Sequence, residues 1–249
     1  MLKKNLIIIP VRMASTRLPN KPMADIAGQT MIARVYKQAL KANVGEVLIA
    51  CDCNEIADEA QRINANFIIT DPNLPSGTDR IFSALEQYQL STQREFSTIT
   101  NLQGDLPDID PEVIVNAVEL AQNSDFDITT VATVIKEPSQ INNPNIVKIA
   151  LSKDSRALYF SRSPIPYSKD NDGEYLHHIG IYVYKISALK KFVKLPVSPL
   201  EKRESLEQLR ALENNLSIGV RIVDNHPLSV DTAEDLAMVN RIIKQRQSY

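Results

Sequence analysis

Leu6-Ile7-Ile8-Ile9-Pro10-Val11-Arg12-Met13-Ala14-Ser15-Thr16-Arg17-Leu18-Pro19-Asn20-Lys21-Pro22 divides at its first proline. Before it stand four apolar residues, three of them β-branched. The run is too short for a helix and suits a strand buried in the centre of a sheet. Pro10 cannot donate to a ladder, so the strand ends there and a loop follows. That loop holds Arg12, Arg17 and Lys21, with Ser15 and Thr16 between them and Pro19 and Pro22 stiffening it. Arg offers planar forked donors, Lys a compact charge, and the hydroxyls neutral donors, a set that suits a polyphosphate. The alternative is a basic loop facing water, which has no use for two stiffening prolines.

Outward from this stretch, short apolar runs alternate with helical periodicity. Met31, Ile32, Val35, Ala39 and Leu40 share one helical face, with Thr30 as N-cap. Glu46–Ala50 reads as a second strand, Asn54–Ile63 as a helix capped by Asn54, Phe67–Thr70 as a third strand. Ile81, Leu85 and Tyr88 mark a helix after Ser76-Gly-Thr-Asp-Arg80. Thr98–Leu102 is the next strand, and Asp110-Pro111 opens a helix reaching about Ala121. This alternation predicts a doubly wound, mostly parallel α/β sheet with right-handed crossovers, whose ligands bind beyond the carboxyl ends of its strands. Past Asp127 strands dominate (128–135, 147–151, 157–161, 180–184), a smaller mixed β/α elaboration with a protruding arm around Ser163–Glu174. Ser198-Pro-Leu-Glu201 predicts a capping box for a helix to about Glu213 with Leu206 and Leu209 inward; 220–223 is a late strand. Thr232 opens a last helix bearing Leu236, Val239 and Ile243. With no linker in sight, residues 1–249 form a single α/β domain, 1–127 and 128–249 being its two halves.

The chain's 249 residues can bury a sizeable core, and its 43% hydrophobic and 23% charged content are those of a soluble globule. A net charge of −2 supplies no basic excess for nucleic acid. The apolar run before Pro10 is too short for a signal peptide or membrane insertion. Cys51 and Cys53 are too close for a relaxed disulfide and read as free thiols of a reducing cytoplasm. No G-x-G-x-x-G and no G-K-[ST] follows the first strand, so neither a dinucleotide fold nor a P-loop is predicted.

The pattern P-x-R-x-x-S-T-R-L-P-x-K-P resembles the N-terminal signature of the sugar nucleotidyltransferases and, among them, of the CMP-Kdo synthetase family (Kdo, 3-deoxy-manno-octulosonate). Further segments match in the same order: Ser76-Gly-Thr-Asp-Arg80, Gln103-Gly-Asp105, Asn143-Pro-Asn145, Tyr159-Phe-Ser-Arg162, His177-His-Ile-Gly-Ile-Tyr182, Ser205-Leu-Glu-Gln-Leu-Arg210 and Val230-Asp-Thr232. Leu74-Pro75 and Leu106 depart from it, standing where the family often has His-x and Glu. The resemblance implies a nucleotide-diphospho-sugar transferase-like fold and transfer of CMP from CTP to the anomeric hydroxyl of Kdo, with pyrophosphate released, for lipopolysaccharide synthesis. It implies Lys21, Asp105, Asp231 and Arg12 as catalytic, and a CTP site of Pro10, Val11, Arg12, Ser15, Thr16, Arg17, Lys21, Ser76, Gly77, Arg80 and Gln103. It further implies Mg²⁺ on Asp105 and Asp231, a sugar-acid site of Arg162, His178, Tyr182, Glu207 and Gln208, and a cytoplasmic homodimer.

Each assignment has a plainer alternative. Ser76 and Thr232 are good helix caps, and Asp105 can cap the turn into Pro107. Arg162 can pair structurally, His178 can be a satisfied core histidine, and Glu207 can pair with Arg203 on a helix surface. Among functions, the alternatives are cytidylyl transfer to sialic acid or 8-amino-Kdo, a glycosyltransferase for which Asp108-Ile-Asp110 is a formal metal motif, and a nucleotide sensor without turnover.

Overall fold

The computed structural model describes residues 4–15, 17–169, 173–225 and 227–247. Two compact units emerge, the first from the residues up to Val115 together with those from Pro227 onward, the second from Asn116 to the residues before Pro227.

In the first unit β1 (Asn5–Pro10) is buried along its whole length. A 3-10 turn at Lys21–Met23 and a small hairpin of β2 (Asp25–Ile26) and β3 (Gln29–Thr30) follow. Ala27 (φ 49°) and Gly28 (φ 78°) make the hairpin's tight turn. Then come α1 (Met31–Ala42), β4 (Glu46–Cys51), α2 (Asn54–Arg62), β5 (Asn66–Ile69), α3 (Gly77–Thr92), β6 (Thr98–Leu102) and α4 (Pro111–Asn123), which ends in the second unit. Strands β6, β1, β4 and β5 lie side by side in that order, all parallel; Leu6 stands opposite Glu46 on one side and Ile99 on the other. The chain therefore winds outward from β1 to β5 and then returns to the far side of β1. That reversal puts a topological switch point at the carboxyl ends of β1 and β6.

The second unit begins with β7 (Ile128–Val134), α5 (Pro138–Ile141), β8 (Lys148–Leu151) and β9 (Ala157–Ser161). It continues through β10 (Leu176–Lys185), α6 (Ile186–Phe192), α7 (Pro199–Glu204), α8 (Leu209–Glu213) and β11 (Ile218–Ile222). Strand β10 runs antiparallel to β7 and β8, β8 pairs antiparallel with β9, and β11 lies parallel to β7. A bulge falls between Ile179 and Tyr182. The chain closes with α9 (Ala233–Gln247), back in the first unit. Val239 and Ile243 of α9 pack on Ile26, Met31 and Val230, and Asn240 clips the helix to the hairpin through Ala27 N–H and Asp25 O.

The α/β class with a mostly parallel sheet is as expected, and Thr30 accepts the Ala33 N–H as N-cap. Four local readings are corrected. Leu40 is 51% exposed rather than inward, because it lies at the edge of the helical stripe and faces water. Cys53, not Asn54, holds the N-cap position of α2, and no side chain bonds there. Strand β10 starts at Leu176 rather than 180, because β7 and β8 both pair with its early residues. The helix opened by Ser198-Pro199 stops at Ser205, which turns left-handed (φ 53°), so α7 and α8 are separate; Leu206 and Leu209 are nonetheless buried. Among the described residues no helix is long and apolar enough to cross a membrane.

Candidate active site

The switch point opens into a pocket of about 340 Å³ built entirely from the first unit. Three chain segments supply its charge. The loop after β1 brings Arg12, Ser15, Arg17 and Lys21; the loop after β6 brings Gln103, Gly104 and Asp105; the approach to α9 brings Asp231. Leu74-Pro75 and the start of α3 (Ser76, Gly77 and Arg80) close a further side. Every residue assigned to CTP or metal therefore lines one pocket, except Thr16, which lies outside the described residues.

The backbone explains the convergence. Val11 N–H donates to Ala50 O (2.9 Å), carrying the parallel ladder one residue past Pro10. Met13 N–H then donates to both carboxylate oxygens of Asp52 (3.1 and 3.2 Å), which anchors the loop on the end of β4. Asn20, left-handed at φ 55°, turns the chain into the 3-10 turn that carries Lys21. Asp105 and Asp231, 126 positions apart, meet because Val230 N–H donates to Asp105 O (3.0 Å) while the Val230 side chain is fully buried. Asp235 Oδ2 accepts the N–H groups of Asp231 and Thr232 (3.0 Å each), and Thr232 Oγ1 accepts that of Asp235 (3.2 Å). This reciprocal cap holds Asp231 at the mouth of α9.

At the centre, Lys21 Nζ donates to Asp105 Oδ2 (3.0 Å) and Asp231 Oδ1 (2.9 Å), and Arg17 Nη2 donates to the same Asp231 oxygen (3.0 Å). The Lys21 side chain is 16% exposed, Arg17 66%. Arg80 is buried and donates to Thr70 Oγ1 (2.5 Å). Burial is the largest influence on Arg80 and lowers its pKa, with Asp52 opposing and Arg12 adding to the fall. Among the described residues no group of three or more His, Cys, Asp or Glu side chains gathers to hold a metal ion. Two carboxylates converging on one cation beside a basic pocket suit instead a hard ion completed by phosphate oxygens and water, the pattern of Mg²⁺.

The glycines differ in kind. A Cβ at Gly104 would stand 2.5 Å from Val11 Cγ1, so packing demands glycine there. At Gly77 it would meet the Pro10 ring, Cγ at 3.6 Å and Cβ at 3.9 Å, ordinary contacts. Ser76 is the N-cap of α3, accepting the Asp79 N–H (3.1 Å), and the Ser-Gly-Thr-Asp-Arg segment is thus the cap and first turn rather than a turn ahead of the helix.

The sugar-acid set lies wholly in the second unit. Arg162, expected to clamp a carboxylate, gives Nε to Glu204 O (2.7 Å), Nη1 to Pro144 O (2.9 Å) and Nη2 to Ser205 O (3.2 Å). Its fork is turned to backbone because the left-handed Ser205 and the Asn143-Pro-Asn145 turn present their carbonyls to it. His178 is buried, with Nε2 3.1 Å from Thr130 Oγ1 and its ring edge-on to Phe160. Burial, assisted by His177, pushes its pKa down to about 3, so it is a neutral core histidine. Tyr182 lies against His178, its hydroxyl pKa raised by burial and by Tyr184 and Glu207. Glu207 is 3.7 Å from Arg210, not paired with Arg203, and Gln208 is buried.

Two polar residues escaped sequence reading. Asp52, between two cysteines, has as its one sequence signal that it is an acid at a strand's carboxyl end. Lys148 is fully buried with Nζ on the carbonyls of Asn143 (2.9 Å), Ile146 (2.6 Å) and Arg162 (2.5 Å), inside what reads as an apolar strand. Desolvation chiefly lowers its pKa, and Arg162 adds to that.

Comparison with known proteins bears on this arrangement. The family model for cytidylyltransferases matches residues 6–218. The 3-deoxy-manno-octulosonate cytidylyltransferase of Bartonella henselae is 48% identical over 242 residues, 96% of this chain and 98% of its own. That of Parvibaculum lavamentivorans is 44% identical over 245 residues, 97% and 93% of the two chains. The solved CMP:2-keto-3-deoxy-manno-octonic acid synthetase, complexed with CTP, superposes with a TM-score of 0.90 at 35% identity, covering 98% of this chain and all of its own. With a charged pocket at the switch point and likeness along nearly its whole length, the chain belongs to the cytidylyltransferase family and, within it, to the 3-deoxy-manno-octulosonate cytidylyltransferases.

Proposed function

We propose that the protein transfers CMP from CTP to the anomeric hydroxyl of Kdo and releases pyrophosphate, a step of lipopolysaccharide synthesis. The observation that carries this reading is the convergence of Arg12, Ser15, Arg17, Lys21 and Arg80 with Asp105 and Asp231 in one pocket at the switch point, in a chain of this family. The anomeric hydroxyl oxygen attacks the α-phosphorus in line and gives up its proton to water; a new P–O bond forms as the bond to the bridging oxygen breaks, and the two outer phosphates leave together as pyrophosphate. Arg12, Arg17 and Lys21 face the outer phosphates and stabilise the charge that grows on them. Ser15 and Thr16 supply neutral donors. Pro10, Val11, Gln103 and the Ser76–Gly77 start of α3 form the wall against which the nucleotide is set, with Arg80 behind it.

In this reading Asp105 and Asp231 would hold Mg²⁺, and the fit rests on two carboxylates converging on one cation. When bound, that ion neutralises charge on the reacting phosphoryl group. Catalysis otherwise consists of positioning and fixed charge, and no side chain is assigned as general base.

On the acceptor side, Tyr182, Glu207 and Gln208 remain the groups offered to sugar hydroxyls. Arg162 and His178 hold the frame around them, since their polar atoms already have partners in the fold. Residues up to 127, joined by Asp231 and α9, would serve mainly CTP, and the second unit the sugar acid and dimer contact. A homodimer belongs to this reading, with the segment after Arg162 as the candidate contact. Free Cys51 and Cys53 fit work in the cytoplasm. The test is pyrophosphate release from CTP with Kdo, 8-amino-Kdo, sialic acid and glucose 1-phosphate in turn. Kdo is expected to be used best; efficient use of glucose 1-phosphate, or of no 2-keto sugar acid, overturns the reading.

A further inference from the structure

A side-chain cation stands where the reading above puts a metal. Lys21 Nζ sits 3.0 Å from Asp105 Oδ2 and 2.9 Å from Asp231 Oδ1, and it is the better buried of the two cations at that spot. Two carboxylates that converge on one point are satisfied by a positive charge between them. An ammonium satisfies them by hydrogen bonds; a dication would bind the same oxygens at contact distance and repel the ammonium at short range. Both cannot occupy the place together.

We infer that Lys21 is an exchangeable counter-ion which keeps the metal site shut until a polyphosphate draws it away. The geometry supplies both halves of the exchange. Lys21 lines the same pocket as Arg12, Ser15 and Arg17, so phosphate oxygens there compete with the carboxylates for its ammonium. Once Lys21 turns to phosphate, Asp105 and Asp231 are left as bare neighbouring anions, and a dication becomes the group that satisfies them. Metal affinity is then conditional on the nucleotide, and by linkage nucleotide affinity on the metal. The 3-10 turn fixes the backbone of Lys21 through Ala24 N–H to Lys21 O (3.2 Å), so the exchange is a rotation of one side chain.

The inference rests on the assignment of Asp105 and Asp231 as metal ligands, and the experiment separates the two. Mn²⁺ alone is titrated into nucleotide-free protein and followed by the EPR signal of the free ion. Wild type and Lys21→Arg, which keep the charge, are expected to bind weakly. Lys21→Met is expected to bind at least ~10-fold more tightly, and adding Asp105→Asn should cancel the gain. Lys21→Gln, shorter by one bond and neutral, serves if the methionine variant melts early. Neutral variants that bind Mn²⁺ no better than wild type overturn the exchange. In a second arm, Mn²⁺ with CTP and no acceptor is added to wild type, Asp105→Asn and Asp231→Asn, and solvent proton relaxation is measured. Loss of enhancement in both Asn variants upholds the ligand assignment; unchanged enhancement removes it, and the exchange with it.

Discussion

The loop after β1 in the first unit and the strands β8 to β10 of the second both carry charged or polar side chains, yet the fold holds them in opposite ways. In the first unit Lys21 and Arg17 are held by Asp105 and Asp231, side chain to side chain, in a pocket open to solvent. In the second, Arg162 and Lys148 are held by backbone carbonyls, and His178 by Thr130 and aromatic rings. A charge held by another charge can be traded for a ligand of the same sign. A charge held by carbonyl oxygens belongs to the frame, because removing it takes donors from the backbone around it. The first region is thus poised for exchange and the second for rigidity.

The comparison breaks first at Asp105. Asp105→Asn should lower turnover by at least ~10²-fold, the order expected when one preorganised electrostatic group is lost. Its melting temperature should stay near that of wild type, since among the described residues the partly exposed carboxylate bonds through its side chain to Lys21 alone. Steady-state pyrophosphate release at saturating Mg²⁺ and a thermal melt measure the two. Normal turnover would place Asp105 with the frame.

Arg162 is the reverse case. Arg162→Met removes donors from the carbonyls of Pro144, Glu204 and Ser205, and should destabilise the fold by on the order of 2–3 kcal/mol. CTP affinity, measured by calorimetry on the folded variant, should not change. A stable variant that loses only acceptor affinity would restore Arg162 as a carboxylate clamp.

The same division separates what was legible in the sequence from what was not. Strands β1 and β6, the Thr30 cap and the Asp110 and Thr232 helix starts follow from local rules, in which neighbours in sequence are neighbours in space. The pocket residues, and the pairing of Asp105 with Asp231, were legible through the family resemblance alone, since the backbone bond from Val230 that joins the two segments has no local signal. The fate of Arg162 was illegible because carbonyls carry no side-chain signature. Lys148 was hidden for the same reason, and the break at Ser205 because serine is uncommon in left-handed backbone.

His178 sharpens the comparison through pH. Its folded pKa of about 3 lies below the unfolded value near 6.5. Below pH ~6.5 the unfolded chain therefore binds a proton that the folded chain refuses, so this contribution to stability falls with pH down to about 3. Between pH 7 and pH 5 the loss from one such group is roughly 2 kcal/mol. His178→Leu should remove about that much of the difference between denaturant midpoints at the two pH values. An unchanged pH dependence would mean that His178 titrates in the fold and is open to a ligand.

The smallest expected effect falls on Gly77, where packing and ligand make separable demands. A methyl group there meets only Pro10 at 3.6 Å, and Gly77 opens α3. Gly77→Ala should therefore leave the fold as stable as before, or raise it by up to ~1 kcal/mol through helix propensity. The same methyl group points no neighbour out of place but stands in the wall that the proposed nucleotide lies against. If CTP approaches the start of α3 closely, its affinity should fall several-fold while stability holds. A combined melt and CTP titration distinguishes the outcomes. Unchanged affinity would make Ser76–Gly77 a helix cap and nothing more, and would move the nucleotide toward the loops after β1 and β6.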